Sequence, residues 1–343
     1  MKKLLNTLYI NDTDRYLSLD GETVAVFGSD KLLGRVPLHN LEGIVTFGYT
    51  GASPALMGEC AKRNIPIIFM DSNGKFLAKV VSAQRGNVFL RKEQYRISDD
   101  DESSLPIAQS FIVAKLHNSK AVLSRAVRDH SERLDTEKFN HTINSMKIRM
   151  KDILETHSTE EIVGIEGKAA TEYFSLFDDM ILQQKDDFYF HTRNRRPPTD
   201  NINALLSFSY TMFARMCEAA LEAVGLDPYV GFLHKDRAGR ASLALDLLEE
   251  FRAIFCDRFV LTMINKKILT GTDFLEKENG AVILTDKGRK IFFTHWQNKK
   301  IETIKHPFLE EMVELGTLPY VQSLLLARYI RGDIDGYPPF LWK

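Results

Sequence analysis

Acids and imidazoles that could hold a cation occur in three segments of this chain. In Gly164-Ile165-Glu166-Gly167-Lys168-Ala169-Ala170, Glu166 stands at the expected start of a helix. Its small neighbours would let another element come close, and a carboxylate there suits the helix dipole. A simple capping glutamate has the same local sequence. His234 ends the run Gly231-Phe232-Leu233, shortly after Gly225-Leu226-Asp227-Pro228. An imidazole at the mouth of a loop can present one ring nitrogen to a metal or substrate, although a satisfied core histidine reads the same way. The third segment is Ser242 to Arg252, where Leu243, Leu247 and Phe251 form a helical apolar stripe. Asp246 shares a side of that helix with Glu249 and with Glu250. Acids this close repel one another unless a cation compensates, and Arg252 or Lys235 would serve if the face is merely solvated. Taken together, two carboxylates and one imidazole make a hard donor set with open positions, suited to Mn²⁺ or Mg²⁺ rather than to structural zinc. At about 100° per residue, Glu249 and Glu250 flank Asp246 on opposite sides, so helix geometry does not choose between them.

A fourth segment is basic. Arg193, Arg195 and Arg196 follow Phe188-Tyr189-Phe190 and precede Pro197-Pro198. Arginines on a stiff, exposed stretch can contact phosphates, and an ordinary charged loop is the alternative.

The elements that must position these residues divide the chain in two. Thr7 to Ile10, Tyr16 to Leu19, Thr23 to Phe27, Leu33 to Pro37 and Gly43 to Phe47 read as short strands, with Asp20-Gly21 as a hairpin signal. Ser53-Pro54 opens a short helix that Asn64 closes. Ile65 to Met70 is apolar on both faces and predicts a buried strand; a turn at Asp71 to Gly74 then leads into a strand from Phe76. The pattern predicts a β-sandwich or roll over residues 1–98. Asp99 to Pro106, polar and ended by proline, reads as a linker. Helical periodicity follows in Ile107 to Arg128, Thr136 to Thr156, Gly164 to Asp179, Asn203 to Val224, Leu243 to Asn265, Leu284 to Lys300 and Pro319 to Arg331. The expected fold is therefore α+β, with a small N-terminal β domain and a larger all-α catalytic domain over residues 107–343.

Composition sets wider bounds. A chain of 343 residues with 44% hydrophobic and 27% charged residues is globular, and at about 150 residues per domain it suggests two. Cys60, Cys217 and Cys256 are widely separated, which indicates neither a disulfide framework nor a zinc ribbon. The formal net charge is −1, so composition does not announce a nucleic-acid binder. Residues 1–98 carry 13 Lys and Arg against 9 Asp and Glu, compatible with a local basic surface or with an ordinary mixed one. The sequence lacks the roughly 18 apolar residues needed to span a bilayer, and Met1 to Leu8 lacks the form of a signal peptide. A cytoplasmic location is expected.

The ordered motifs GIEGKAATEYF, RRPPTDNINALLSFSY, GLDPYVGFLH and GRASLALDLLEEFR, with IPIIFMDSNGKFLAKV upstream, resemble the CRISPR adaptation integrase, the universal CRISPR-associated endonuclease of spacer acquisition. The resemblance covers most of the chain. It implies a β-rich domain that builds a homodimer, and a helical domain that acts as a metal-dependent DNA endonuclease and integrase. The family's metal ligands fall on Glu166, His234 and Glu249, with Asp246 at a nearby acidic position that supports catalysis. The third ligand is often Asp in the family, whereas here Glu249 stands with Glu250 beside it. The resemblance further implies DNA substrates, namely a prespacer and a CRISPR repeat, and a small ferredoxin-like partner that bridges two dimers into a heterohexamer. Two other functions are compatible with the residues themselves: a structural DNA-binding subunit, and a metal-dependent hydrolase of RNA or small phosphoesters.

Overall fold

The computed structural model describes residues 6–343 except 11, 13, 30, 49–50, 72–75 and 81–87. The first half of the β region contains β1 (Asn6–Ile10), β2 (Arg15–Asp20), β3 (Thr23–Gly28), β4 (Lys31–Pro37) and β5 (Leu41–Phe47). It continues with β6 (Gly51–Ala52), α1 (Pro54–Lys62), β7 (Ile67–Met70) and β8 (Phe76–Val80). The expected turn at Asp71 to Gly74 lies largely outside the described residues. These strands form two four-stranded sheets, in the orders β1-β5-β7-β8 and β4-β3-β2-β6. Asp20 pairs with Thr23 across the hairpin, and Gly21 takes the positive φ (57°) that the turn needs. Ser53 caps α1 by accepting from the Leu56 amide, with Pro54 in its first turn.

The two sheets face each other across Leu17, Val24, Leu41, Ile44 and Ile67, closed at one side by Leu56 and Cys60 of α1. The expected sandwich is therefore present, with a mixed first sheet in which β1, β5 and β7 run parallel. Strand alternation sends the intervening side chains of that sheet the other way. Val45, Phe47, Ile68 and Met70 belong to the core of the helical region. The β and α parts thus share one sheet as a common wall.

Helices follow: α2 (Val88–Asp99), α3 (Asp101–His130), α4 (Thr136–Leu154), α5 (Thr159–Phe174), α6 (Asn201–Val224), α7 (Ser242–Phe251) and α8 (Arg258–Asn265). Between them and the C-terminus lie a hairpin β9 (Phe274–Glu276)–β10 (Val282–Leu284), α9 (Asp286–Ile301), a hairpin β11 (Thr303–Lys305)–β12 (Met312–Glu314) and α10 (Leu318–Ile330). The helical region is therefore not purely α, since two small antiparallel hairpins interrupt it.

The expected linker is also corrected. Asp99 ends α2, and Asp100 caps α3 by accepting from the Ser103 amide. Asp101 and Glu102 occupy the first turn of α3, where carboxylates suit the dipole. Pro106 lies inside α3, near enough to its start that the missing N–H leaves only the second turn short of a bond. A polar, proline-containing stretch was thus a helix N-terminus rather than a connector. Among the described residues, no helix is long and apolar enough to cross a membrane.

Candidate active site

Four elements deliver the site: α3, α5, α7 and the loop between α6 and α7. A small apolar cluster of Ala108, Ile112, Leu116, Ile153, Ile162, Ala169 and Leu233 locks α3, α4, α5 and that loop together. Each of three site residues lies next to one of its members in sequence or one helical turn away: Lys115 beside Leu116, His234 beside Leu233, and Glu166 three residues before Ala169.

Glu166 is not at a helix start. Ser158 caps α5 by accepting from the Glu161 amide, so Glu166 lies mid-helix and the capping role is excluded. Of its small neighbours, Ala169 packs into that cluster, but the glycines do not serve close packing: a Cβ at Gly164 or Gly167 would meet nothing within 4 Å. Those glycines instead leave one face of α5 bare.

The loop carrying His234 is folded around a buried carboxylate. Asp246 is fully buried on α7. Its Oδ2 accepts from the amides of Phe232 (2.8 Å) and Leu233 (3.0 Å), and its Oδ1 from the His234 amide (3.1 Å). The same Oδ1 lies 2.6 Å from His234 Nδ1, which leaves Nε2 for another partner. Only glycine fits at Gly231, where a Cβ would stand 2.8 Å from Asp246 Oδ2 and 3.0 Å from the His234 carbonyl. From the other side, α2 holds the loop through Gln94 Nε2, donating to the Asp227 and Val230 carbonyls, and Ser98 Oγ, donating to the Gly231 carbonyl (2.7 Å). Burial pulls the His234 pKa down, but the hydrogen bond and charge of Asp246 outweigh it and raise the imidazole above its ordinary value.

Glu249 and Glu250 part company on α7. Glu249 faces Glu166: Lys115 of α3 reaches between them, with Nζ 2.7 Å from Glu249 Oε2 and in contact with Glu166 Oε1. Arg252 contacts Glu249 Oε1 from one turn further on. Burial pushes the Glu249 carboxyl up, yet Arg252 and Lys115 overcome it and hold the pKa down at about 2. Glu250 faces away from the site, buried against the C-terminal segment. There it accepts from Gln322 Nε2 (3.0 Å), the Phe340 amide (2.8 Å) and the Tyr337 hydroxyl.

Behind Arg252 the chain makes a π-helical turn, Arg252–Asp257, of a kind that recurs at functional sites. Arg252 lies over the Tyr210 ring (5.0 Å), and Tyr210 donates to Asp257 (2.5 Å). Arg193 is drawn into this layer. Its guanidinium donates to Asn203 Oδ1 (2.7 Å) and Ser207 Oγ (2.9 Å) and also lies over Tyr210. The expected phosphate-facing segment is therefore divided, with Arg193 turned inward and Arg195 and Arg196 exposed. Lys235, a possible partner of the α7 acids, pairs instead with Asp101 and Glu160.

Sequence reasoning missed Lys115. Its signal was a lysine four residues after Phe111 on the apolar stripe of α3, where it is only 8% exposed; a cation there needs buried anions to balance it. The donor set fits a hard divalent ion: two carboxylates already converge on one cationic group, and an imidazole is oriented by a buried carboxylate. Among the described residues, no three His, Cys, Asp or Glu side chains are yet drawn together closely enough to hold an ion.

The sequence model for "CRISPR associated protein Cas1" matches residues 8–298. The chain belongs to the Cas1 family. The CRISPR-associated endonuclease Cas1 1 of Chlorobaculum tepidum is 45% identical over 343 residues, covering all of both chains. Among solved structures, a casposase bound to integration product shares the fold, with a TM-score of 0.84 at 24% identity over 99% of this chain and 95% of that one. A Cas6-RT-Cas1--Cas2 complex does so at 0.82 and 22% identity, over 100% of this chain and 36% of that one. The α+β architecture read from the sequence is thus that of Cas1 proteins.

Proposed function

We propose that this Cas1 chain is a DNA endonuclease and integrase of CRISPR adaptation, inserting DNA fragments as new spacers by attack of a 3′-hydroxyl on a repeat phosphodiester. The observation that carries the chemistry is the convergence of two carboxylates from different helices, Glu166 and Glu249, on a single cationic group. Glu166, Glu249 and His234 would hold Mn²⁺ or Mg²⁺, which when bound polarises a phosphate and offsets charge developing on oxygen. Asp246 fixes the orientation of His234 and presents Nε2 as ligand or proton acceptor. Arg252 keeps Glu249 ionised. Arg195 and Arg196, exposed on the stretch before α6, would contact DNA phosphates.

The activity is supported by a full-length relative that is itself named a CRISPR-associated endonuclease. A solved complex of like fold contains Cas1 with Cas2; for this chain we propose a homodimer, bridged by a small ferredoxin-like partner into a heterohexamer acting in the cytoplasm. The test is Glu166→Gln, assayed for Mn²⁺ binding by calorimetry and for strand transfer into a repeat-bearing duplex. Loss of both in a folded protein is expected; strand transfer at the unaltered rate would overturn the assignment.

A further inference from the structure

The ammonium of Lys115 stands between the two carboxylates that the proposed metal needs, and this inference rests on that metal assignment. Lys115 comes from the middle of α3, is nearly fully buried, and touches both Glu166 and Glu249. Two carboxylates so close, one of them only 4% exposed, would repel each other strongly if nothing lay between them. Arg252 does not replace this contact, since it approaches Glu249 on its other oxygen, Oε1. Lys115 Nζ is in ion-pair contact with both carboxylates, so it takes the space between them that a bridging ion would need.

We infer that Lys115 is a resident counter-cation of this site, a positioning residue that holds Glu166 and Glu249 together and that a divalent ion must displace. The exchange is one of place: the ion enters between the carboxylates, and the lysine leaves as an ammonium. Lys115 also lines a small pocket with Ser119, Ala169, Tyr173, Arg252 and Asp257. Lys115 thereby sets how tightly the site takes metal, since every binding event must first break its two ion pairs.

The experiment compares Mn²⁺ binding by calorimetry, at one pH, in the full-length protein, Lys115→Met and Glu249→Gln. Removing a cation in contact with both ligands is expected to tighten Mn²⁺ binding by on the order of tenfold or more, while lowering the melting temperature measured in chelator. A structural lysine would give the second effect without the first. Labelling of the unaltered protein with an amine-reactive ester, read at Lys115 by mass spectrometry, gives an independent measure. Reactivity should rise severalfold when Mn²⁺ saturates the site, and it decides the matter if Lys115→Met does not stay folded in chelator. Mn²⁺ affinity that Glu249→Gln weakens but a folded Lys115→Met leaves unchanged or weaker sinks this inference alone, as does labelling indifferent to Mn²⁺. Absence of Mn²⁺ binding by the unaltered protein sinks the metal assignment and this inference with it.

Discussion

Asp246 and Glu249, one helical turn apart on α7, act on different partners. Glu249 presents a carboxylate to the space that Lys115 fills, whereas Asp246 spends its two oxygens on three backbone amides and the His234 ring. Glu249→Gln keeps the shape and loses the charge. Strand transfer should fall by more than about a hundredfold, beyond the roughly 10–100-fold typical of a residue that supports a ligand. Asp246→Asn should fall within that 10–100-fold range, because an amide nitrogen cannot accept the hydrogen bonds that shape the loop. Parallel measurements of strand transfer and Mn²⁺ affinity check both, and an Asp246→Asn protein of full activity would mean that His234 is held some other way.

Two kinds of glycine distinguish the elements of the site. Gly167 is inside α5 with open space where a side chain would stand, so it costs helix stability without serving packing. Gly167→Ala should stabilise the protein by about 0.5–1 kcal/mol, read as a higher urea midpoint; a lower midpoint would show that this face is packed. Gly231 is the opposite case, hemmed in by Asp246, Ser242 and the His234 carbonyl. Gly231→Ala forces the loop off Asp246, so we expect a loss of about 1–3 kcal/mol together with loss of strand transfer. Unchanged activity and midpoint would mean that the loop tolerates displacement. Both elements were foreseen as elements, but the start of α5 was placed too late. The cap Ser158 lies ahead of the conspicuous glycines, which suggested a helix beginning where its bare face begins.

At the scale of the molecule, the C-terminal segment is clamped to α7. Asn118 of α3 donates to the carbonyls of Glu250 (2.6 Å) and Phe340 (2.8 Å), and accepts from the Trp342 amide (2.8 Å). Burial raises the Glu250 carboxyl from 4.5 to about 7, against the lowering hydrogen bonds of Tyr337, Phe340 and Gln322. A raised acid pKa means that the folded state binds the proton more tightly. Its stabilising contribution is therefore complete below pH 4.5 and lost as pH rises to about 7. Relative to Glu250→Gln, the unaltered protein should lose up to about 3 kcal/mol over that interval, measured by denaturant unfolding at a series of pH values; parallel pH profiles would refute the buried carboxyl. Glu250→Gln should retain metal binding, since the side chain faces away from the site. For DNA, replacing Arg195 and Arg196 together should flatten the salt dependence of duplex binding, by about 0.9 in the slope for each phosphate that is no longer neutralised. Arg193→Ala should act chiefly on stability, because its guanidinium is bonded within the protein. An unchanged slope in the double variant would leave Arg195 and Arg196 without a phosphate partner.

The sequence by itself determined the strand-then-helix order, a sandwich or roll, the family and which acids and imidazole were candidates, because periodicity, turn residues and short motifs are local properties. It could not divide Glu249 from Glu250: adjacent on one helix, they differ only in what other elements bring to them. Tertiary structure made that division by setting Lys115, 51 residues from Glu166, on one side of α7 and Tyr337, 87 residues from Glu250, on the other. It likewise turned Arg193 inward, made a helix start of an expected linker, and put α2 against the His234 loop. Each of these outcomes depends on a partner remote in the chain, and a buried charge takes its role from the partner that neutralises it.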